Sequence, residues 1–191
     1  MAASVILAAS TNAQDEVSNT PKLFAKGDKV LNLGIGIGST LYYGSYYTTQ
    51  IPPISASLEY GVLDNLFDVD GLNVGVGGYF GFSRSQYKYS YDGLTDWGWN
   101  YTNIIIGGRG VLHYEFSEKF DTYTGLLLGP NIVISKEFGT HYEDYTDTAA
   151  SSGLAYSYFI GARYYLSDKF ALMGELGYGI SYLNLGVSLK F

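Results

Sequence analysis

The sequence predicts an all-β protein: an eight-stranded antiparallel up-and-down transmembrane β-barrel. Three observations lead there. The last ten residues, YLNLGVSLKF, alternate, with Leu183, Leu185, Val187, Leu189 and Phe191 on one side and Asn184, Gly186, Ser188 and Lys190 on the other. A strand sends successive side chains to opposite faces, so this is a ribbon with one apolar and one polar face. Ten residues is also the length a tilted strand needs to cross the hydrocarbon layer of a bilayer. Second, 47% of the chain is hydrophobic and only 15% charged, against about 25% charged in an ordinary soluble domain. Yet no stretch approaches the 18 consecutive apolar residues of a spanning helix. Third, the same alternation recurs upstream, separated by connections that are short and long in turn, as at the two ends of a membrane barrel.

Taken in order, residues 1–13 are apolar and rich in small residues, and read as a signal peptide with Thr11 and Ala13 at the cleavage positions. The basic start of such a segment is missing, so either the peptide is truncated or it is not a signal; the need for export favours truncation. Residues 14–29 are polar and read as a periplasmic lead-in, and the barrel occupies residues 30–191.

In strand 1, Leu31, Leu33, Ile35 and Ile37 face away from Asn32, Gly34 and Gly36. Strand 2 sets Ala56, Leu58, Tyr60 and Val62 against Ser57, Glu59 and Gly61, and strand 3 sets Val74, Val76, Phe80 and Phe82 against Asn73, Tyr79 and Gly81. In strand 4, Ile104, Ile106, Leu112 and Tyr114 oppose Asn103, Arg109 and His113. Strand 5 covers residues 121–134 with Leu126, Leu128, Ile132 and Ile134 outward; Pro130 lacks an N–H, so a bulge or weak pairing is expected there. Strand 6 turns Leu154, Tyr156, Tyr158, Ile160, Tyr164 and Leu166 outward and Ser157, Gly161 and Arg163 inward. Strand 7 turns Phe170, Leu172, Leu176, Tyr178 and Ile180 outward and Met173 and Glu175 inward. Residues 63–71, 115–120 and 167–169 form the shorter connections. Residues 42–53, 84–99 and 135–152 form longer polar loops, and the last outer connection, near residues 179–182, is short.

Composition narrows the function. With no cysteine there is neither a disulfide framework nor a thiolate metal site. A net charge of −7 argues against nucleic acid as a partner. Twenty tyrosines and 25 glycines suit aromatic girdles around a crowded interior. The run Gly34-Ile35-Gly36-Ile37-Gly38 lacks the spacing and the lysine of a phosphate loop and lies inside a strand, so its glycines make room in a narrow barrel.

Four charges fall on the inward face: Glu59, Arg109, Arg163 and Glu175. Isolated burial costs several kcal/mol per ion, so two acids and two bases at similar depth are expected to pair. With a turn at residues 167–169, Arg163 opposes Met173 and lies diagonal to Glu175, within reach of a long side chain. An eight-stranded interior is one that side chains fill, so the cluster reads as a plug rather than an ion path. The aromatics near the long loops (Tyr42, Tyr43, Tyr46, Tyr47, Tyr87, Tyr89, Tyr91, Trp97, Trp99) read as an interfacial girdle, with an adhesive surface as the other reading. Glu137, Glu143, Asp144 and Asp147 lack the spacing of a calcium loop, so no metal site is expected.

The strings SLEYGV, GVGGYFGF, IIIGGRGVLHYEF and FIGARYYLSDKFALMGELGYGISYLNLGVSLKF resemble the small eight-stranded outer-membrane β-barrels, the OmpX-like and OmpA-barrel-like proteins, over residues 30–191. The resemblance implies residence in a Gram-negative outer membrane, with both termini periplasmic and the long loops extracellular. It also implies recognition of Phe191 by the barrel-assembly machinery as an assembly signal. The family shares a scaffold and spreads its functions over the loops. Lipid-modifying barrels of this size use a histidine with a serine and an acid; here His113 faces inward without a nearby serine and His141 sits among loop acids, so no catalytic residue is assigned. The expected function is a structural or surface-interaction role, in adhesion or envelope integrity, with a narrow porin-like channel as the alternative and a lipid-modifying enzyme behind it. The expected partners are outer-membrane lipid, the assembly machinery and a surface ligand at the long loops; the protein is expected to be a monomer without a cofactor. A soluble ligand-binding barrel would reverse the two faces, and the apolar set here is too continuous for a soluble exterior.

Overall fold

In a computed structural model, described here for residues 22–90, 96–139 and 149–191, the chain forms one closed barrel whose strands pair in chain order, the first with the last. They are β1 (Lys29–Ser39), β2 (Tyr47–Leu63), β3 (Leu72–Ser90), β4 (Asp96–Ser117), β5 (Phe120–Gly139), β6 (Gly153–Ser167), β7 (Phe170–Tyr178) and β8 (Ser181–Lys190). Every neighbouring pair is antiparallel. Closure is made where β1 meets β8, from Val30 opposite Lys190 to Ser39 opposite Ser181. A closed sheet leaves no full-length edge, which an open sheet in lipid could not satisfy. The segment read as a signal peptide lies outside the described residues.

Side-chain parity sorts the barrel into two surfaces. Leu33, Ile35, Leu58, Val76, Ile106, Leu126, Leu128, Ile160, Leu172, Leu176 and Leu185 are exposed on the outside. Asn32, Ser57, Glu59, Asn73, Asn103, Arg109, His113, Asp121, Arg163, Glu175 and Ser188 are buried inside. A water-soluble barrel would carry the opposite arrangement.

Three expectations are corrected by the structure and one is met. Among the described residues, the polar stretches read as long loops are mostly strand: β2, β3, β4 and β5 run for 17, 19, 22 and 20 residues, against 11, 9 and 10 for β1, β7 and β8. Only about 9–11 residues are needed to cross the hydrocarbon layer, so these four strands stand beyond it as a projecting sheet. At roughly 2.5 Å of height per tilted residue, the sheet rises about 20 Å past the apolar band. At Pro130 the pairing is weakened, as expected, without a bulge. The register between β4 and β5 is the same on either side of it, and only the ladder positions opposite Pro130 and Gly129 are interrupted. Ile180 does not face outward; it is 6% exposed, because β7 ends at Tyr178 and Gly179, at φ 114°, breaks the alternation and turns the next side chain into the barrel. At the other end of β2, a register shift between Gly61 and Leu63 sends Leu63, rather than Val62, to the outside.

Candidate functional site: a filled lumen closed at both ends

The interior is built in layers, starting from the end where both described termini lie. Residues 22–28, within the stretch read as a lead-in, fold into the mouth instead of trailing from it. Phe24 is fully buried and stacks on the His113 ring, with centroids 3.9 Å apart and planes 22° apart. Its N–H donates to Glu115 Oε1 (3.2 Å) and its carbonyl accepts from Asn73 Nδ2 (2.6 Å). Lys190, on the closing strand, donates to the carbonyls of Lys22 and Leu23 and pairs with Asp28 at 2.7 Å. Gly75 is required for this fit, since a Cβ there would lie 2.9 Å from the Phe24 ring.

Above Phe24 the inward charges meet. Arg163, fully buried, pairs with Glu59 and donates from Nη1 to Asp121 Oδ2 at 3.2 Å. The same carboxylate accepts from His113 Nδ1 at 3.0 Å, which places the ring proton on Nδ1. Arg109 donates to Glu175 Oε1 (2.6 Å) and to Ser57 Oγ (3.2 Å), with Glu59 3.9 Å away. Glu175 also accepts from Tyr123 OH and Asn184 Nδ2. Asn32 links Glu59 to Ser57, and Ser188 donates to Asn32. The two guanidinium groups lie over aromatic rings: Arg163 is 4.7 Å from the Tyr123 centroid and Arg109 is 4.1 Å from that of Phe159. Stacking on a ring face adds favourable electrostatics for a cation out of water.

All four charges singled out from the sequence therefore belong to one network, but the pairing differs from the diagonal one expected. Arg163 does stand opposite Met173 in register, yet it turns across the lumen to Glu59 and leaves Glu175 to Arg109. Glu59 and Glu175 are reached across the lumen, whereas Asp121 stands directly beside Arg163 on the neighbouring strand. The sequence reading missed Asp121 as a member. Its parity with Tyr123 and Leu127, both buried, opposite the exposed Leu126 and Leu128, was the available signal. Phe24, an isolated aromatic in a polar stretch, had no periodic signal.

Over the charges lies an apolar layer of Tyr79, Ile105, Leu127, Phe159 and Ile180, with Leu41 packed on it. Leu41 belongs to residues 40–46, which connect β1 to β2 and whose first residues, 40–42, fold into the opposite mouth. The Thr40 N–H donates to the Ile180 carbonyl (2.9 Å), and Thr40 Oγ1 accepts from the Gly179 N–H (3.2 Å). Tyr42 donates to Asn103 Oδ1 (3.0 Å) and clusters with Tyr47 and Tyr101, each pair of rings 5.1–6.3 Å apart. The cavity lined by Arg109, Glu175, Tyr79, Phe159 and Asn184 has a volume of about 30 Å³, room for a water or two and no more.

Several aromatics read as a girdle are found elsewhere. Tyr42, Tyr47, Tyr87 and Tyr101 pack on one another inside the mouth, and Trp97, buried, donates to Glu137 Oε1 at 2.6 Å. The exposed aromatics at the lipid-facing strand ends are instead Tyr60, Tyr114, Tyr164, Tyr156, Tyr158, Tyr178 and Tyr182. Tyr91, His141, Glu143, Asp144 and Asp147 lie outside the described residues. Phe191 ends the chain with its side chain 64% exposed, while its N–H donates to the Lys29 carbonyl across the β1–β8 closure.

No family model matches the chain, and no curated protein does. Among solved structures it is similar to the N-terminal β-barrel domain of Pseudomonas aeruginosa OprF, at 13% identity and a TM-score of 0.43, covering 88% of this chain and 100% of that one. It is similar also to Ail of Yersinia pestis, solved in complex with the heparin analogue sucrose octasulfate (16% identity, TM-score 0.44, 87% and 99% covered). A third is the outer membrane protein OprG of Pseudomonas aeruginosa (9% identity, TM-score 0.44, 87% and 97% covered). The architecture of this chain rests on its own strand registers and on the sorting of its two surfaces.

Proposed function

We propose that the protein is a non-catalytic, monomeric barrel of a Gram-negative outer membrane, with a structural or surface-interaction role and a lumen that does not conduct. One observation carries this reading: the exposed outer face is apolar around the barrel, while the polar face is turned inward and packed solid from Phe24 to Tyr42. Burying roughly 25 cal/mol of stabilisation per Å² of apolar surface requires lipid around such an exterior, and a packed interior leaves no aqueous path. The described termini lie at one end and the projecting sheet at the other. The reading places the first in the periplasm and the second outside the cell, where surface ligands would be met. Phe191, with an exposed side chain, is available to the barrel-assembly machinery.

Cell fractionation tests the location. The protein is expected with outer membranes, and it should migrate faster on SDS gels unheated than boiled, since a closed barrel has no edge from which to unravel. Recovery as a monodisperse soluble species without detergent would contradict the reading.

A further inference from the structure

The outward face of the projecting sheet changes chemistry along each strand. On β3 the series Val76, Phe80, Phe82 gives way to Arg84 and Gln86; on β4 Ile106 and Ile104 give way to Thr102 and Asn100; on β5 Ile132 and Ile134 give way to Lys136. The registers place Phe82, Ile104 and Ile132 side by side, then Arg84, Thr102 and Ile134, then Gln86, Asn100 and Lys136. The boundary thus steps by one row between β3 and β5, as a level boundary does across strands inclined to the membrane normal. Two cations stand on it, Arg84 and Lys136.

These cations differ from the others on the sheet. Lys88, further out, is paired with Asp96 at 2.5 Å. Among the described residues, no carboxylate pairs with Arg84 or Lys136, and Arg84 Nε is buried without a hydrogen-bond partner. Between them Gln86 Nε2 donates to Asn100 Oδ1 at 3.1 Å, which leaves a polar platform free of negative charge. In a chain of net charge −7, a patch of this sign directly above an apolar band is matched to an anion held at headgroup height.

We infer that Arg84, Lys136 and the Gln86–Asn100–Thr102 platform between them bind the phosphate groups of a phosphorylated glycolipid in the outer leaflet, whose acyl chains lie along Phe82, Ile104 and Ile132. The inference rests on the outer-membrane reading above. A guanidinium offers a planar fork to a phosphate and an ammonium a point charge. Each cation near an anionic lipid surface favours it about five-fold, so the pair should favour the phosphorylated lipid by about 30-fold, and less as salt is raised.

The test is native mass spectrometry of the purified full-length protein in detergent, titrated with bisphosphorylated lipid A and, separately, with its dephosphorylated form. The wild type is expected to bind the bisphosphorylated lipid about 30-fold more tightly. Arg84→Gln with Lys136→Gln should bring the two lipids to within a few-fold of each other, while Lys169→Gln, at the opposite end, changes nothing. Equal wild-type affinity for both lipids, or a preference that survives Arg84→Gln/Lys136→Gln, overturns the inference. Heat-modifiable migration of the same preparations keeps the readings apart. A folded barrel without phosphate preference sinks only this inference, whereas a protein that never inserts into lipid sinks the outer-membrane reading with it.

Discussion

Replacing Arg163 with Met probes the lumen most sharply. Its guanidinium is fully buried between Glu59 and Asp121, and Met fills a similar volume without charge. Glu59 would keep Asn32 Nδ2 at 3.3 Å and Arg109 at 3.9 Å, and Asp121 would keep only His113. Two carboxylates would then face the interior with their strongest partner gone. Removing one member of a buried pair costs about 3–5 kcal/mol, because the survivor bears its desolvation uncompensated. Adding Glu59→Gln removes one of the stranded charges and should return roughly 2 kcal/mol of that loss. Glu175→Gln should return little, since Glu175 is held by Arg109, Tyr123 and Asn184 and makes no contact with Arg163. Reversible urea unfolding of each variant in lipid vesicles gives the two double-mutant cycles. Additive losses for the Arg163–Glu59 cycle, or a larger coupling for Arg163–Glu175, would refute the cross-lumen pairing.

Four further outcomes are expected. Leu172→Arg, at a position 50% exposed on the outer face, should cost about 2–4 kcal/mol near the bilayer midplane; equal stability in the same unfolding assay would reverse the parity of β7. Gly75→Val should evict Phe24 from the mouth without touching residues 22–28, and protease nicking near Phe24 should rise; an unchanged cleavage rate would mean the segment is not held there. Phe191→Ser should lower the folded yield in cells far more than refolding in detergent, because its side chain packs on little; equal losses would make the residue one of packing only. The hydrogen bond to Tyr178 pushes the Tyr43 hydroxyl up to about 12, so its contribution is complete below pH 10 and lost as pH rises towards 12. Tyr43→Phe should flatten that part of the stability profile, and an identical alkaline profile in the two proteins would discount the contact.

The barrel was legible in the sequence because lipid on one side and a narrow lumen on the other force a two-residue period. That period placed Glu59, Arg109, Arg163 and Glu175 inward. It faded where the outward face turned polar. Residues such as Arg84, Gln86, Asn100 and Lys136 make strands β3 to β5 polar on the outside and aromatic within, so an extended sheet read as loops. The cross-lumen pairings of the inward charges were illegible for a different reason. Register relates adjacent strands, whereas Arg163 on β6 meets Glu59 on β2 across the interior. Phe24 and Leu41, which close the two mouths, come from segments without periodicity, and only tertiary packing reveals their burial. Ile180 was misplaced because it lies in the turn after β7, where left-handed Gly179 suspends the two-residue period.

Planar-bilayer recording on the purified, folded wild-type protein distinguishes a filled, sealed lumen from an open one. Insertion shown by the protein's heat-modifiable band, with no stepped ion conductance, is the result predicted from a cavity of about 30 Å³ between two packed ends. Regular conductance steps from the wild-type protein would contradict it and make the barrel a channel.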